Sequence, residues 1–130
     1  MPPAKDLFEY AVLRVVPRVE REEFMNVGVV LYCRAQSFLA CRTELPEARL
    51  RALAGPAGPN VAELTARLRA FEKICQGRRA GGPIGQLGPA ERFRWLTATR
   101  STVLQTSAVH PGLCNDALAT LNRLFAELVG

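Results

Sequence analysis

The stretch REEFMNVGVVLYC, residues 21–33, decides the fold. It begins with three charged residues and continues as an almost unbroken apolar run that is rich in β-branched side chains. Such a run is typical of a strand buried on both faces. An amide has no obvious place in a buried strand, so Asn26 requires an explanation. By the period of two, Asn26 and Gly28 share a face, and we predict that this run is a central strand of a sheet.

Two further strands flank this run. Residues 8–16 have the β-branched and aromatic content of a pleated, buried surface, and Pro17 ends the segment because proline gives no amide hydrogen to a ladder. Arg14 lies inside this strand, on the face that carries its even-numbered residues. Residues 37–42 follow a short turn and are more polar, which indicates an edge strand. Connections this short predict antiparallel pairing.

The rest of the chain is mainly helical in pattern, with a fourth strand indicated at 101–106. The predicted helices are 47–53 after Pro46, 60–76 with Asn60 as cap, 89–96, and a last helix capped by Asn115 that extends to Val129 with Leu118 in its apolar stripe. The glycine-rich segment 77–88 is predicted as a flexible loop, the tripeptide 110–112 as a turn, and Trp95 as a core or site-wall residue. The sequence therefore predicts one α+β domain over residues 1–130, with a small antiparallel sheet of three to four strands packed against three to four helices.

Composition narrows the class of protein. The chain has 130 residues and a net charge of +5, with 15 Arg against two Lys. A basic balance is compatible with an anionic partner, although the arginines are scattered among carboxylates. No segment approaches the roughly 20 apolar residues of a membrane span, and the first residues do not resemble a signal peptide. We therefore expect a cytoplasmic protein without a membrane partner, and the four well-separated cysteines are expected to be reduced thiols.

Two groups of polar residues interrupt strand-like sequence and form the candidate ligand-binding site. They are Arg14, Arg21, Glu23 and Asn26 in the first group, and Arg100, Ser101, Gln105 and Ser107 in the second. One interpretation is a satisfied internal network, including an Arg14–Glu23 contact, that fixes the strand register. The other is a pocket for an anion or polar ligand, in which the arginines supply planar bidentate donors.

Catalytic constellations are poorly supported by the sequence. A triad of Ser101, His110 and Asp116 lacks the strand-to-helix context in which a nucleophilic serine is presented. His110 is the only histidine, and no carboxylates are spaced like metal ligands. We therefore expect no metal and no cofactor, and the sequence favours a protein that is not an enzyme.

Two segments resemble the bacterial family called domain of unknown function 3037. The first is YAVLRVVPRVEREEFMNVGVVLYC, with its R-x-E-F-x-N-V-G-V-x-L core, and the second is RFRWLTATRSTVLQTSAVHPGLCNDALATLNRLF. The resemblance covers most of the chain and is least specific over residues 44–88. The family positions that it implies are Arg14, Pro17, Arg21, Glu23, Asn26, Gly28, Trp95, Arg100, Ser101, Gln105 and Ser107.

Two functions are consistent with these observations. The small size, the amphipathic last helix and the missing catalytic constellation favour an interaction or accessory protein. The resemblance implies a partner of the HipA-type kinase class, because members of the family are encoded beside such kinases. The alternative is an enzyme or binding module with an arginine-lined pocket for a phosphorylated ligand or nucleic acid. The sequence leaves the oligomeric state open.

Overall fold

The structure is a computed structural model that describes residues 5–16, 24–54, 61–77, 81–98 and 103–129. Within these residues an α+β fold contains five strands and five helices, which confirms the predicted class and corrects both predicted counts of three to four. The strands are β1 (Asp6–Val15), β2 (Met25–Cys33), β3 (Phe38–Thr43), β4 (Leu104–Thr106) and β5 (His110–Cys114). The helices are α1 (Glu47–Ala54), α2 (Val61–Gln76), α3 (Gly82–Gly85), α4 (Pro89–Leu96) and α5 (Ala117–Leu128). No helix in the described part of the chain is long and apolar enough to cross a bilayer.

The strands form one antiparallel sheet in which β1 and β2 are central. The order is β3-β2-β1-β4, and β5 also pairs with β1. As predicted from its polarity, β3 lies at an edge. The apolar run of β2 is covered on both faces, since Val29 and Leu31 pack under α5 while Val30 packs against the helices of the opposite face. All three side chains are fully buried, which explains why β2 lacks an alternation of polar and apolar residues.

A β-bulge in β2 separates Asn26 from Gly28. Leu13 of β1 lies opposite Gly28 and Arg14 lies opposite Asn26, so Val27 is the extra residue of β2. The prediction that Asn26 and Gly28 share a face is therefore wrong, because the extra residue reverses the alternation between them. Asn26 stands beside Arg14 on the face that α5 covers, and Gly28 stands beside Leu13 on the other face.

The outer edge of β1 is paired with a strand that is interrupted in the middle. β4 and β5 both run antiparallel to β1 and follow one another along it. Leu13 pairs with Thr106 and Tyr10 pairs with His110, so three steps along β1 correspond to four steps along its neighbour. The additional residue falls in 107–109, where the chain leaves the ladder and returns. One interrupted strand thus accounts for the fifth strand that the sequence did not predict.

The tripeptide at 110–112 was predicted as a turn and instead begins β5. Proline is tolerated here because β5 pairs with β1 alone within the described residues and so lies at the edge. Gly112 lies opposite Phe8, and a Cβ at this position would collide with the Phe8 ring. The ring covers the glycine in place of a side chain, which stabilises an extended segment whose residues favour a turn.

One face of the sheet is covered by α5. The residues of this α5-side core are Phe8, Val29, Leu31, Cys33, Cys114, Ala117, Leu121, Leu124, Phe125 and Val129. The start of α5 is held by Gln36 from the β2–β3 turn, whose Oε1 accepts from the Ala117 amide at 2.8 Å. The Gln36 Nε2 donates to Asn115 O and to Asp6 Oδ2, both at 3.0 Å. A single amide side chain therefore ties the turn to the first helical residue and to the start of β1.

The opposite face is covered by α1, α2 and α4. The buried residues of this three-helix core are Ala11, Leu13, Val15, Met25, Val27, Val30, Leu50, Leu64, Leu68, Cys75, Phe93 and Leu96. The ring of Tyr32 lies 5.6 Å from that of Phe93 and joins α4 to the end of β2. The predicted buried positions Leu64, Leu68, Phe93 and Leu96 are confirmed.

Two predictions about the helices need correction. The segment 77–88 contains a four-residue helix, Gly82–Gly85, because Pro83 has the backbone φ of a first helical turn. Asp116, not Asn115, caps α5, and its Oδ1 accepts from the Ala119 amide at 3.1 Å.

Leu118, predicted in the apolar stripe of the last helix, is exposed, and so is Trp95, predicted as a core or site-wall residue. Leu118 is 54% exposed, because the buried stripe of α5 begins with the small residues Ala117 and Thr120, which let the helix approach the sheet. Trp95 is 38% exposed on α4, whose neighbours Phe93 and Leu96 fill the core. The stripe assignment of Leu118 and the core assignment of Trp95 are therefore wrong, and the site-wall assignment of Trp95 stays a prediction.

Candidate functional site

Three of the predicted site residues stand side by side on adjacent strands. Asn26 of β2 lies opposite Arg14 of β1, and Arg14 lies opposite Gln105 of β4. Directly opposed residues of antiparallel strands share a face, with Cβ atoms about 4.5–5.5 Å apart. We call these three residues the polar row. It crosses the sheet near the C-terminal end of α5.

Asn26 connects the sheet to the end of α5. Its Nδ2 donates to Leu128 O at 3.0 Å, which satisfies one of the carbonyls left without a partner at a helix C-terminus. Its Oδ1 is buried and accepts no hydrogen bond within the described part of the chain. The amide therefore has a structural role through its nitrogen, and its oxygen is unused.

The Arg14 side chain, like that of Asn26, has partners for only some of its polar atoms among the described residues. Its guanidinium carbon lies 4.3 Å from the centre of the Phe24 ring, a cation–π contact. Its Nε is buried and has no hydrogen-bond partner among the described residues. An unsatisfied buried polar group costs about 1–3 kcal/mol. Because Arg14 and Asn26 are neighbours, one small polar group that accepts from Nε and donates to Oδ1 would satisfy both.

Ser107 has a backbone role instead. Its amide donates to Val12 O at 2.8 Å, and its Oγ accepts from the Val12 amide at 2.9 Å. The hydroxyl thus replaces a ladder carbonyl where the strand is interrupted. The remaining predicted site residues, Arg21, Glu23, Arg100 and Ser101, lie outside the described residues, and so does the predicted contact between Arg14 and Glu23.

A cavity of about 560 Å³ adjoins the polar row. We call it the α5-end cavity, and its walls include Phe24, Asn26, Arg49, Ala52, Leu128 and Val129. Phe24 is 50% exposed although Arg14 covers part of its ring. Volumes of about 300–1,000 Å³ are typical of small-molecule sites. The cavity therefore has the size and the mixed polar and apolar walls of a ligand site.

A second candidate surface lies on the opposite side of the sheet. Leu7 and Leu113 are cross-strand partners, and their exposures are 61% and 62%. Glu9 and Pro111 form the next pair along the same strands. The side chains of these four residues form what we call the open face. Large apolar side chains exposed next to one another mark interaction surfaces more often than isolated ones do.

A cavity of about 590 Å³ extends the open face towards α4. Its lining includes Leu7, Tyr32, Ala90, Arg34 and Arg94. This surface was not predicted from the sequence, because the first strand was expected to begin at Phe8 and residues 110–112 were expected to form a turn. The available signal was Leu7, an apolar residue on the face of β1 opposite to that of Phe8.

The cysteines form two pairs, Cys41 with Cys75 in the three-helix core and Cys33 with Cys114 in the α5-side core. The hydrogen bond that the Cys75 thiol donates to Cys41, together with burial, raises the pKa of Cys75. Burial and the neighbouring Cys33 raise the pKa of the Cys114 thiol. All four are free thiols, and a raised pKa keeps a thiol protonated and poorly nucleophilic. Cys75 and Cys114 are therefore suited to packing and not to nucleophilic catalysis.

The residues of the imagined triad have other roles. His110 stacks against Tyr10 with ring centres 5.4 Å apart, and Asp116 caps α5. Ser101 lies outside the described residues. Among the residues that the structure describes, no three His, Cys, Asp or Glu side chains are grouped so that they could hold a metal ion.

The fold and these surfaces define a small α+β protein with two candidate binding regions. The chain belongs to the family described as "Protein of unknown function (DUF3037)", whose model matches residues 10–129. This match confirms the resemblance found from the two sequence motifs. No curated protein and no solved structure matched the chain.

Proposed function

We propose that this protein is an interaction module that binds an apolar segment of a partner protein on the open face. The observation that carries the proposal is the exposure of the cross-strand pair Leu7 and Leu113, 61% and 62%, beside a cavity of about 590 Å³. Burying an exposed leucine side chain contributes about 1.5–3 kcal/mol. Two such side chains on a rigid sheet form an anchor for a partner at little cost in conformational entropy.

The shape of the open face fits a helix. α4 packs over the end of β2 through Phe93, and the cavity lies between α4 and the first half of β1. An added helix that lies alongside α4 would cover Leu7 and Leu113, as the other helices cover the rest of this face. Such a segment needs an apolar stripe for the sheet and polar residues at its margins.

The charges beside the cavity favour an acidic segment. Arg34 and Arg94 are exposed and line the cavity, where Glu9 is the only carboxylate among the described lining residues. The net charge of +5 also disfavours association of two copies through this surface. The occupant that fits best is therefore an amphipathic helix of a partner protein that carries Asp or Glu at the margins of its apolar stripe.

Co-expression with a HipA-type kinase, the partner class implied by the family resemblance, tests the proposal. The variant Leu7→Asp/Leu113→Asp is compared with Leu118→Asp, which changes an equally apolar exposed residue on α5. We expect the wild type and Leu118→Asp to co-purify with the kinase and the double variant to lose it. Circular dichroism melts of all three proteins verify that the fold is retained.

Two outcomes would contradict the proposal. If Leu118→Asp loses the kinase as completely as the double variant, the open face has no special role. If the wild type fails to bind the kinase and sedimentation shows a dimer that the double variant abolishes, the open face contacts a second copy of this chain.

A further inference from the structure

Phe24 forms one wall of the α5-end cavity. The Arg14 guanidinium lies 4.3 Å from the centre of its ring, yet half of the Phe24 surface is exposed. Leu128, Val129 and Ala52 provide apolar walls around the same space. An aromatic ring backed by an arginine and open to a cavity can stack against a planar group, a contact worth about 1–3 kcal/mol for a base on an aromatic side chain.

The described residues that line this cavity carry charge of one sign. Arg49 of α1 is exposed and lines the cavity, and none of the described lining residues is a carboxylate. The neighbouring Arg51 pairs with Glu47 instead, at 3.8 Å. Within the described residues Arg49 makes no ion pair, so its guanidinium is available for the planar, bidentate recognition of a carboxylate or phosphate.

We propose that the α5-end cavity binds a small anion that carries a planar ring. The ring stacks against Phe24, and its carboxylate or phosphate pairs with Arg49. Asn26 forms the floor. Arg14 is a positioning residue that holds Phe24. This site lies near the Val15 end of β1, whereas the open face lies near its Asp6 end, so ligand binding here does not require the proposed partner helix.

Calorimetric titrations with two ring anions test the proposal and distinguish the source of the charge. Adenosine monophosphate carries a phosphate and indole-3-acetate carries a carboxylate, while adenosine and inorganic phosphate supply the ring and the anion alone. We expect at least one of the two ring anions to bind, and adenosine and phosphate to bind about tenfold more weakly or not at all, since each lacks one contact.

Single substitutions test which side chain contacts the ring and which contacts the anionic group. Phe24→Ala and Arg49→Ala are each expected to weaken binding of the ring anion by about tenfold, because each removes one contact. Arg51→Ala is the matched control, since it removes the same charge from the same helix, and a change below about twofold is expected. The Leu7→Asp/Leu113→Asp protein should bind the ring anion as the wild type does, which separates this site from the open face.

Several results would overturn the proposal. They are a wild type that binds neither ring anion, equal losses in Arg49→Ala and Arg51→Ala, and phosphate that binds as tightly as adenosine monophosphate. Tighter binding of polyadenylate, with a steep dependence on salt, would instead identify a nucleic-acid surface and reject the small-molecule site.

Discussion

The two faces of the sheet are covered in different ways. One helix, α5, covers its face and is held at both ends, by Gln36 at Ala117 and by Asn26 at Leu128. Three helices pack on the opposite face, yet Leu7 is 61% exposed there. In this sheet, the face covered by one helix anchored at both ends is closed, whereas the face covered by three helices leaves Leu7 open.

The difference between the two faces of the sheet is tested most strongly by two adjacent residues of β1. Phe8 points towards α5 and covers Gly112, whereas Leu7 belongs to the open face. Phe8→Ala is expected to lower the free energy of unfolding by about 3–5 kcal/mol, the usual cost of removing a buried aromatic ring. Leu7→Ala is expected to change it by less than about 0.5 kcal/mol. Urea unfolding followed by circular dichroism measures both values, and similar losses would show that both faces are packed.

Removing either of the two side chains that anchor α5 should lower the free energy of unfolding by less than Phe8→Ala does, and by unequal amounts. Gln36→Ala leaves the Ala117 amide and the Asn115 carbonyl without their partner, so a loss of about 1–3 kcal/mol is expected. Asn26→Ala also removes the buried, unpaired Oδ1, so its net loss should remain below about 1 kcal/mol. Hydrogen exchange should become faster at the Ala117 amide in Gln36→Ala. Protection there equal to the wild type would show that Gln36 does not anchor the helix.

The three-helix core should weaken in alkaline solution. The Cys75 thiol has a pKa raised above its ordinary value of 9.0 by Cys41 and by burial, so it stays protonated when folded and ionises when unfolded. Above pH 9 the unfolded state binds fewer protons, and the free energy of unfolding falls as pH rises, by up to about 1.4 kcal/mol per pH unit for this thiol.

Chemical denaturation at pH 8 to 10 measures this slope. Cys75→Ala is the matched control, because it removes the thiol and should flatten the part of the decrease that Cys75 causes. An equal slope in both proteins would assign the alkaline loss to other groups, including Cys114, whose raised pKa acts in the same direction.

A small effect on stability is also expected at Arg14, and it distinguishes a ligand-binding residue from one that only fixes the structure. Arg14→Met removes a cation–π contact of about 0.5–1 kcal/mol and also removes a buried Nε that has no partner among the described residues. These changes oppose each other, so unfolding should shift by less than about 1 kcal/mol. A thermal melt together with urea unfolding checks this value. A loss above about 2 kcal/mol would favour the internal network that the sequence also allowed.

Apolar periodicity was sufficient to predict the central strands and most helices. β2, α2 and α4 carry continuous or regularly spaced apolar residues, and local spacing alone determines their type. β5 could not be predicted in this way, because Pro111 and Gly112 favour a turn. The packing of Phe8 on Gly112, between residues about a hundred positions apart, overrides that preference.

The candidate site, like the fold, was predictable from the sequence only in part. Arg14 and Asn26 stood out because polar side chains are costly in a buried strand, and the structure does place them side by side. Their contacts with Phe24 and Leu128 depend on the bulge at Val27 and on the position of the α5 end. Neither feature has a local sequence signal, so the cavity they adjoin could not be inferred.

The double anchoring of α5 has a consequence for the order in which the protein is made. Asn26 precedes Leu128 by 102 residues, and Gln36 precedes Ala117 by 81. At about 5–20 residues per second, the β1–β2 hairpin leaves the ribosome roughly 4–20 seconds before α5 arrives. During that interval Val29 and Leu31 are uncovered, so the most tightly closed face of the finished protein is the one that a nascent chain must protect longest.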